Sequence, residues 1–300
     1  MRAGLTALLV LMSVPFLAWA NENPVSWSDA SGPIVWTDVI NRAVQADFVL
    51  LGEAHDNPHH HEAQADVLRA LVANGRRPAV VWEMIDRDRQ PDLDRFTATG
   101  SADPQAFADA VGWADAGWPD FGIYRPIAAV ALAFELPMVA GDLSSKEIHR
   151  IFAEGMDAAV PDLASRWSLD DLYSEVETNQ HLDSVYYGHC ELVPRERLTS
   201  MVLAQIARDA ALAAAMLDAA EGDGAVLIAG NGHVRKDIGV PKLIGVSRTG
   251  ASMITIGLSE GRTDYDLYDV VGVTAGVDRP DPCLQLREHF KSASKGTTSE

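Results

Sequence analysis

Six apolar runs recur along the chain with helical patterning between them: "ADFVLLGE" (46–53), "PAVVWEM" (78–84), "LPMVAGD" (136–142), "GAVLIAGNGH" (224–233), "SMITIGL" (252–258) and "YDLYDVVGV" (265–273). Strands with continuous apolar character are those buried on both faces. The pattern therefore predicts an α/β fold, a mostly parallel central sheet with helices on both faces. Helical spacing is clearest at 58–74, 86–97, 123–135 and 195–220, and the last of these is alanine-rich with no internal proline or glycine. Only one clear strand falls between about 100 and 220, which predicts a helical insertion or subdomain over the sheet. A single domain is expected over 21–290, and the polar "KSASKGTTSE" (291–300) reads as a disordered tail.

The runs share a second feature at their carboxyl ends. They finish in Gly52-Glu53-Ala54-His55, Trp82-Glu83-Met84, Gly141-Asp142 and Gly230-Asn231-Gly232-His233. In a parallel sheet these ends lie on one rim, where open α/β sheets bind their ligands. Glu53 and His55, two residues apart in extended chain, leave on the same side. Beyond them Asn57 or Asp56 suits an N-cap, and Pro58 suits the first helical position. His61, Gln64, Ala65 and Leu68 then follow at helical spacing, so His61 and Gln64 are expected to face the rim. His59 and His60 are expected to point to solvent. The same residues also have plainer readings: Glu83 can serve only the dipole of a following helix, Asp142 can be only an N-cap, and His61 only a core histidine. His233, with two glycines in the three residues before it, has less to do in packing alone.

Composition narrows the ligand classes. With 43 acidic against 24 basic residues the formal net charge is −19, which argues against nucleic acid as a partner. The opening "MRAGLTALLVLMSVPFLAWA" has a basic start, an apolar middle and a small-x-small end, so residues 1–20 read as a signal peptide. Its apolar run is too short to span a bilayer. No cysteine follows the cleavage site, so the expectation is a periplasmic protein without a lipid anchor or a remaining transmembrane segment. Cys190 and Cys283, an even pair in an exported chain, are expected to form a disulfide.

Glutamates and histidines on one rim suit a divalent metal, with His55 and His233 as candidate ligands, or acid–base chemistry, or the lining of a cofactor pocket. The spacing matches neither a zinc helix nor a phosphate loop. The quoted segments do resemble one family. "LLGEAHDNPHHHEAQ", "VVWEM", "GWPDFGIYRP", "LPMVAGDLS", "GHCELVP", "MVLAQIARDAALAAAM" and "AGNGHVRKDIGVP" are similar, in that order, to the ChaN-like haem-binding uptake family of the Tiki/TraB/erythromycin-esterase-like superfamily. The resemblance implies a haem-binding role in haem or iron uptake, with a homodimer forming around the ligand. The wider superfamily implies an alternative, a metal-dependent hydrolase or peptidase using Glu53, His55, Glu83 and His233. Haem needs an axial ligand, and the candidates are Tyr124, Tyr186, Tyr187 and His189 beside the rim residues. Arg125 is a candidate partner for a propionate. Tyr186 and Tyr187 fit core packing equally well.

Overall fold

The computed structural model describes residues 25–168, 172–261, 266–281, 283–284 and 286–288. The leader expected at 1–20 and the tail expected at 291–300 lie outside the described residues. Six strands run parallel: β3 (Phe48–Glu53), β4 (Ala79–Asp86), β5 (Met138–Asp142), β6 (Ala225–Gly230), β7 (Met253–Ser259) and β8 (Val270–Val273). A short hairpin, β1 (Ser26–Asp29) and β2 (Gly32–Pro33), joins antiparallel beside β8, giving the sheet order β2-β1-β8-β7-β3-β6-β4-β5. Each of the six apolar runs contributes one parallel strand. The hairpin was not anticipated, because "SWSD" and "GP" are too short and polar to show a strand pattern.

Alternation along the strands divides the core in two. Val49, Leu51, Val80, Trp82, Val226 and Ile228 face one layer. That layer holds α1 (Trp36–Gln45), α2 (Pro58–Ala73), α3 (Gln90–Thr97), α4 (Pro104–Val111) and α5 (Phe121–Ala133). Phe48, Leu50, Val81, Leu227 and Ala229 face the other. There lie α6 (Ser145–Glu154), α7 (Met156–Ala159), α8 (Pro161–Arg166), α9 (Glu175–Gly188), α10 (Thr199–Ala219), α11 (Asn231–Val234) and α12 (Val240–Ser247). Helices thus cover both faces, and the described part of the long stretch between β5 and β6 contains helices and turns but no strand. Although α10 is long and apolar enough to cross a membrane by composition, it lies against β4, β5 and β6 with its alanines buried. Small side chains let it approach the sheet closely: a Cβ on Gly141 would come within 2.9 Å of Leu212.

Polar side chains finish the sheet where the ladder stops. At the β5 edge the Gln90 carboxamide accepts from Ala140 N (2.7 Å) and reaches Met138 O (3.4 Å), occupying groups another strand would otherwise take. At the amino-terminal end Arg76 donates to the carbonyls of Val44, Ala46 and Asp223, pinning two loops together. The tightest backbone approach is at the same end. Gly224 has φ +76°, and a Cβ there would fall 1.9 Å from Asp47 O. Cys190 and Cys283 are joined, with Cα atoms 5.5 Å apart, as the even count suggested.

Gly224→Ala should therefore lower stability by about 3 kcal/mol or more, through both the strained dihedral and the clash with Asp47. Urea denaturation measures it, and a loss under about 1 kcal/mol would contradict the packing described.

Candidate functional site

The two buried glutamates leave opposite faces of the sheet. Glu53 continues the row of Val49 and Leu51, towards α2 and α5, whereas Glu83 continues the row of Val81, towards α10. On the first face Tyr124 of α5 donates its hydroxyl to Glu53 Oε1 at 2.6 Å, and His55 Nδ1 donates to the same oxygen at 2.8 Å. His61 Nδ1 lies 3.3 Å from Glu53 Oε2, and its Nε2 faces His55 O at 3.1 Å. Burial alone would push the Glu53 carboxyl up, but the bonds and charges of His55 and His61 hold it down at about 2. Gln64 sits behind this group and donates to Leu51 O at 3.1 Å, completing the end of β3.

On the second face Glu83 Oε2 accepts from Gly230 N at 2.6 Å, and Oε1 accepts from Arg208 Nη2 of α10 at 2.7 Å. Arg208 also donates through Nε to Asp142 Oδ2 at 2.9 Å. His233, carried by α11, lies between two carboxylates: Nδ1 donates to Asp209 Oδ1 at 2.6 Å, and Nε2 faces Glu83 Oε1 at 3.2 Å. Gln205 rests against the same ring, 3.1 Å from Nδ1. Burial would lower the His233 pKa, yet Glu83 and Asp209 raise it to about 10, so the ring is an imidazolium at neutral pH. Burial would push Glu83 up, but His233 and Arg208 hold it well below the carboxylate range. For Asp209 burial dominates and moves its pKa up, and its Oδ2 is buried without a hydrogen-bond partner among the described residues.

His55 links the two faces. With Nδ1 on Glu53, its Nε2 lies over Gly230 and 3.9 Å from Glu83 Oε1, and a Cβ on Gly230 would come within 2.8 Å of that nitrogen. Gly230 is therefore fitted to the imidazole. Desolvation works against the charged ring, but Glu53 and Glu83 prevail and its pKa is raised. The side chain remains 35% exposed and meets the Trp118 indole edgewise at 4.9 Å. His55 is thus the imidazole through which the buried group reaches solvent.

The structure brings Glu53, His55, His61, Glu83, Tyr124 and His233 together, with Asp142 and Gln64 alongside. It corrects two expectations, for His60 and His59, and decides between two readings of Asp142. His60 is fully buried and accepts from Ala54 N through Nδ1 at 2.8 Å. Asn57 caps α2, so His60 lies in the first turn, and helical side chains lean back over the preceding chain. His59, also expected in solvent, is half-buried. Asp142 is not an N-cap; Ser144 is, in a capping box with Glu147. Of His55 and His233, the two candidate metal ligands, His233 has both ring nitrogens facing carboxylates, whereas His55 Nε2 lies 3.9 Å from Glu83 Oε1. Among the described residues no group of three or more His, Cys, Asp or Glu has the geometry for a metal ion.

Four candidates have other neighbours. Arg125 is exposed, donates to Gln105 Oε1 at 2.8 Å and stacks on Phe121. Tyr186 lies under the Arg195 guanidinium (4.4 Å to the ring centroid), and Tyr187 is 62% exposed. His189 follows α9 and donates Nδ1 to Val185 O at 2.7 Å. Arg208, Asp209, Gln205 and Trp118 lie in segments that resemble the family, but no site role was expected of them. Three of them carried a signal: Gln205, Arg208 and Asp209 stand at i, i+3 and i+4 within an otherwise apolar helix, so they share a buried face.

One consequence is a pH dependence of stability. His233 rises from 6.5 to about 10 on folding, so its contribution is fully present below pH 6.5 and fades as pH rises through about 10. His233→Gln should cost about 3–5 kcal/mol at acidic to neutral pH by leaving buried carboxylates without a counter-charge. Thermal melts should show that gap narrowing above pH 6.5; a constant gap would contradict the imidazolium.

No curated protein matches this chain by sequence. Among solved structures, a ChaN of Campylobacter jejuni, described as binding haem cofacially, superposes with a TM-score of 0.69 at 23% identity, covering 85% of this chain and 98% of that one. At that identity the likeness establishes the fold. The type III effector HopBA1 is a weaker match (TM-score 0.43, 14% identity, 80% of this chain and 92% of that one). So is the toxin effector domain RRSP of Vibrio vulnificus (TM-score 0.43, 15% identity, 86% of this chain and 40% of that one). The sequence profile for haem-binding uptake proteins of the Tiki superfamily, ChaN, matches residues 39–244, a span that contains both halves of the rim from Glu53 to His233. The chain belongs to the ChaN family of haem-binding uptake proteins.

Proposed function

We propose that this protein binds haem in the periplasm and serves haem or iron uptake, and that the Glu/His rim forms the floor of the ligand site. Family membership carries the haem reading, and the donor chemistry of the chain supports a division of labour. A haem ligand must offer a lone pair or an ionisable oxygen to the iron. Tyr124 is fully buried, donates to Glu53, and is pushed far above its ordinary pKa by burial and by that carboxylate, so it stays a phenol. His61 and His233 have both nitrogens engaged.

His189 is differently disposed, and this observation favours it. Its Nδ1 faces a backbone carbonyl, which can only accept, so the proton sits on Nδ1 and the lone pair on Nε2. Metal-ligating histidines are commonly oriented in this way. The ring is half-buried, and the exposed Tyr187 precedes it by two residues. His189 would hold the iron, with Tyr187 as the neighbouring aromatic surface. Bound haem would supply iron chemistry; the chain's residues bind and orient it, and His55 offers a polar contact from the rim. Export is supported by the residue 1–20 pattern and by the disulfide, which belongs to an oxidising compartment.

Hemin added to the purified protein should give a shifted Soret band that saturates at a defined ratio. His189→Ala should abolish or move that band while Tyr124→Phe leaves its position unchanged. No saturable binding would overturn the haem reading, and an unchanged band in His189→Ala would overturn the ligand assignment. A second copy is expected to meet the first across the ligand, given the cofacial haem described for the Campylobacter jejuni protein. Light scattering after size-exclusion chromatography should show the mass doubling when hemin is added. A monomer at saturating hemin would remove the dimer.

A further inference from the structure

The carboxyl-terminal segment and the α9 region approach the rim from opposite sides. After β8 the chain turns back over the sheet ends. Thr274 N bonds Ser259 O at 2.9 Å, and Asn57 Nδ2 donates to Ala275 O at 3.0 Å and to Glu260 Oε1 at 2.7 Å. Arg279 then reaches Asp56 Oδ2 through Nε at 2.6 Å and Glu260 Oε2 through Nη1 at 2.9 Å. Asp56 is the residue after His55, so this segment is fastened at the mouth of the site on the β3 and β7 side.

The other side is built by α9 and α10. Gln205 meets His233 at rim level, and α10 begins six residues earlier at Thr199. At about 1.5 Å per residue, the start of α10 stands roughly 9 Å above the rim. The preceding region therefore overhangs the β6, β4 and β5 side, where α10 packs. It is tied down by Tyr173, whose hydroxyl donates to Ile238 O at 3.2 Å, and by the Lys242–Glu177 ion pair. Arg279 and Cys283 are four residue steps apart, a span of at most about 14 Å. Cys283 is bonded to Cys190, directly after His189.

We infer that these two segments form an arch over the rim, with the Cys190–Cys283 disulfide as its keystone, and that reduction of this bond opens access to His55. The pattern of anchors carries the inference: hydrogen bonds and ion pairs fix each limb to a different side of the sheet end, and the covalent bond lies where the limbs meet. Both cysteines are half-buried, within reach of a reductant. Opening requires a dithiol. One of its thiolates attacks a cystine sulfur and displaces the other, forming a mixed disulfide. Its second thiolate then resolves that species, leaving Cys190 and Cys283 as thiols and the reductant as a cyclic disulfide. The effect on haem rests on the function proposed above, because the arch carries His189; the effect on His55 does not.

The full chain serves as the test in four forms: oxidised, reduced with dithiothreitol, Cys283→Ser, and Arg279→Gln with the disulfide intact. Each is treated with diethyl pyrocarbonate, and modification of His55 is followed by mass spectrometry relative to exposed His149 on α6. His55 should react several-fold faster in the reduced and Cys283→Ser forms, with Arg279→Gln intermediate. If Cys283→Ser does not fold, the reduced wild type and Arg279→Gln decide. Equal His55 rates in the folded forms overturn the arch. Hemin should also leave the reduced form faster than the oxidised one; retention at the same rate overturns the arch as a control on haem. Failure of every form to bind hemin overturns the haem function, while the His55 rates still judge the arch.

Discussion

The structure is organised by the need to bury two carboxylates at the end of one sheet. Glu53 and Glu83 are each almost fully buried, and an ion without partners in such a place costs several kcal/mol. Each is met by donors from the helical layer on its own face: Tyr124 and His61 for Glu53, Arg208 and His233 for Glu83. The placement of α2, α5, α10 and α11 follows from that requirement as much as from apolar packing. His55 then couples the halves across the top of the sheet.

Pairing within the rim decides what it can do, although Glu53 Oε2 and Asp209 Oδ2 keep no hydrogen-bond partner among the described residues. Here the positive groups Arg208 and His233 are committed to Glu83, Asp142 and Asp209, and both nitrogens of His61 face oxygens. Such a network is suited to holding a shape and a fixed protonation state beneath a ligand, with His55 as the point of contact. Under the proposed function, ligation would fall to groups outside the network, such as His189, whose Nδ1 proton faces a backbone carbonyl.

Much of this was legible in sequence because strands that are apolar throughout are hard to mistake. The six parallel strands and the clustering of Glu53, Glu83, Asp142 and His233 at one edge followed from their carboxyl-terminal residues. What stayed hidden depended on partners far apart in the chain. Arg208 and Asp209 lie in an alanine-rich helix whose register against β4 and β6 no local pattern gives. His60 looked exposed because the stretch of three histidines hides which one turns back to Ala54. The β1–β2 hairpin has little apolar content, and its place was settled by pairing with β8. Nothing local in "GNGH" tells that Gly230 makes room for the His55 ring.

The sharpest test is the protonation state of His233. Long-range proton–nitrogen correlation spectra of the ¹⁵N-labelled protein at about pH 8 report directly on both ring nitrogens, well above the ordinary histidine pKa of ~6.5. Two protonated nitrogens are expected, since the ring sits between Glu83 and Asp209. A neutral ring with one bare nitrogen would mean that the buried carboxylates are compensated in some other way, and the rim would again be open to a metal.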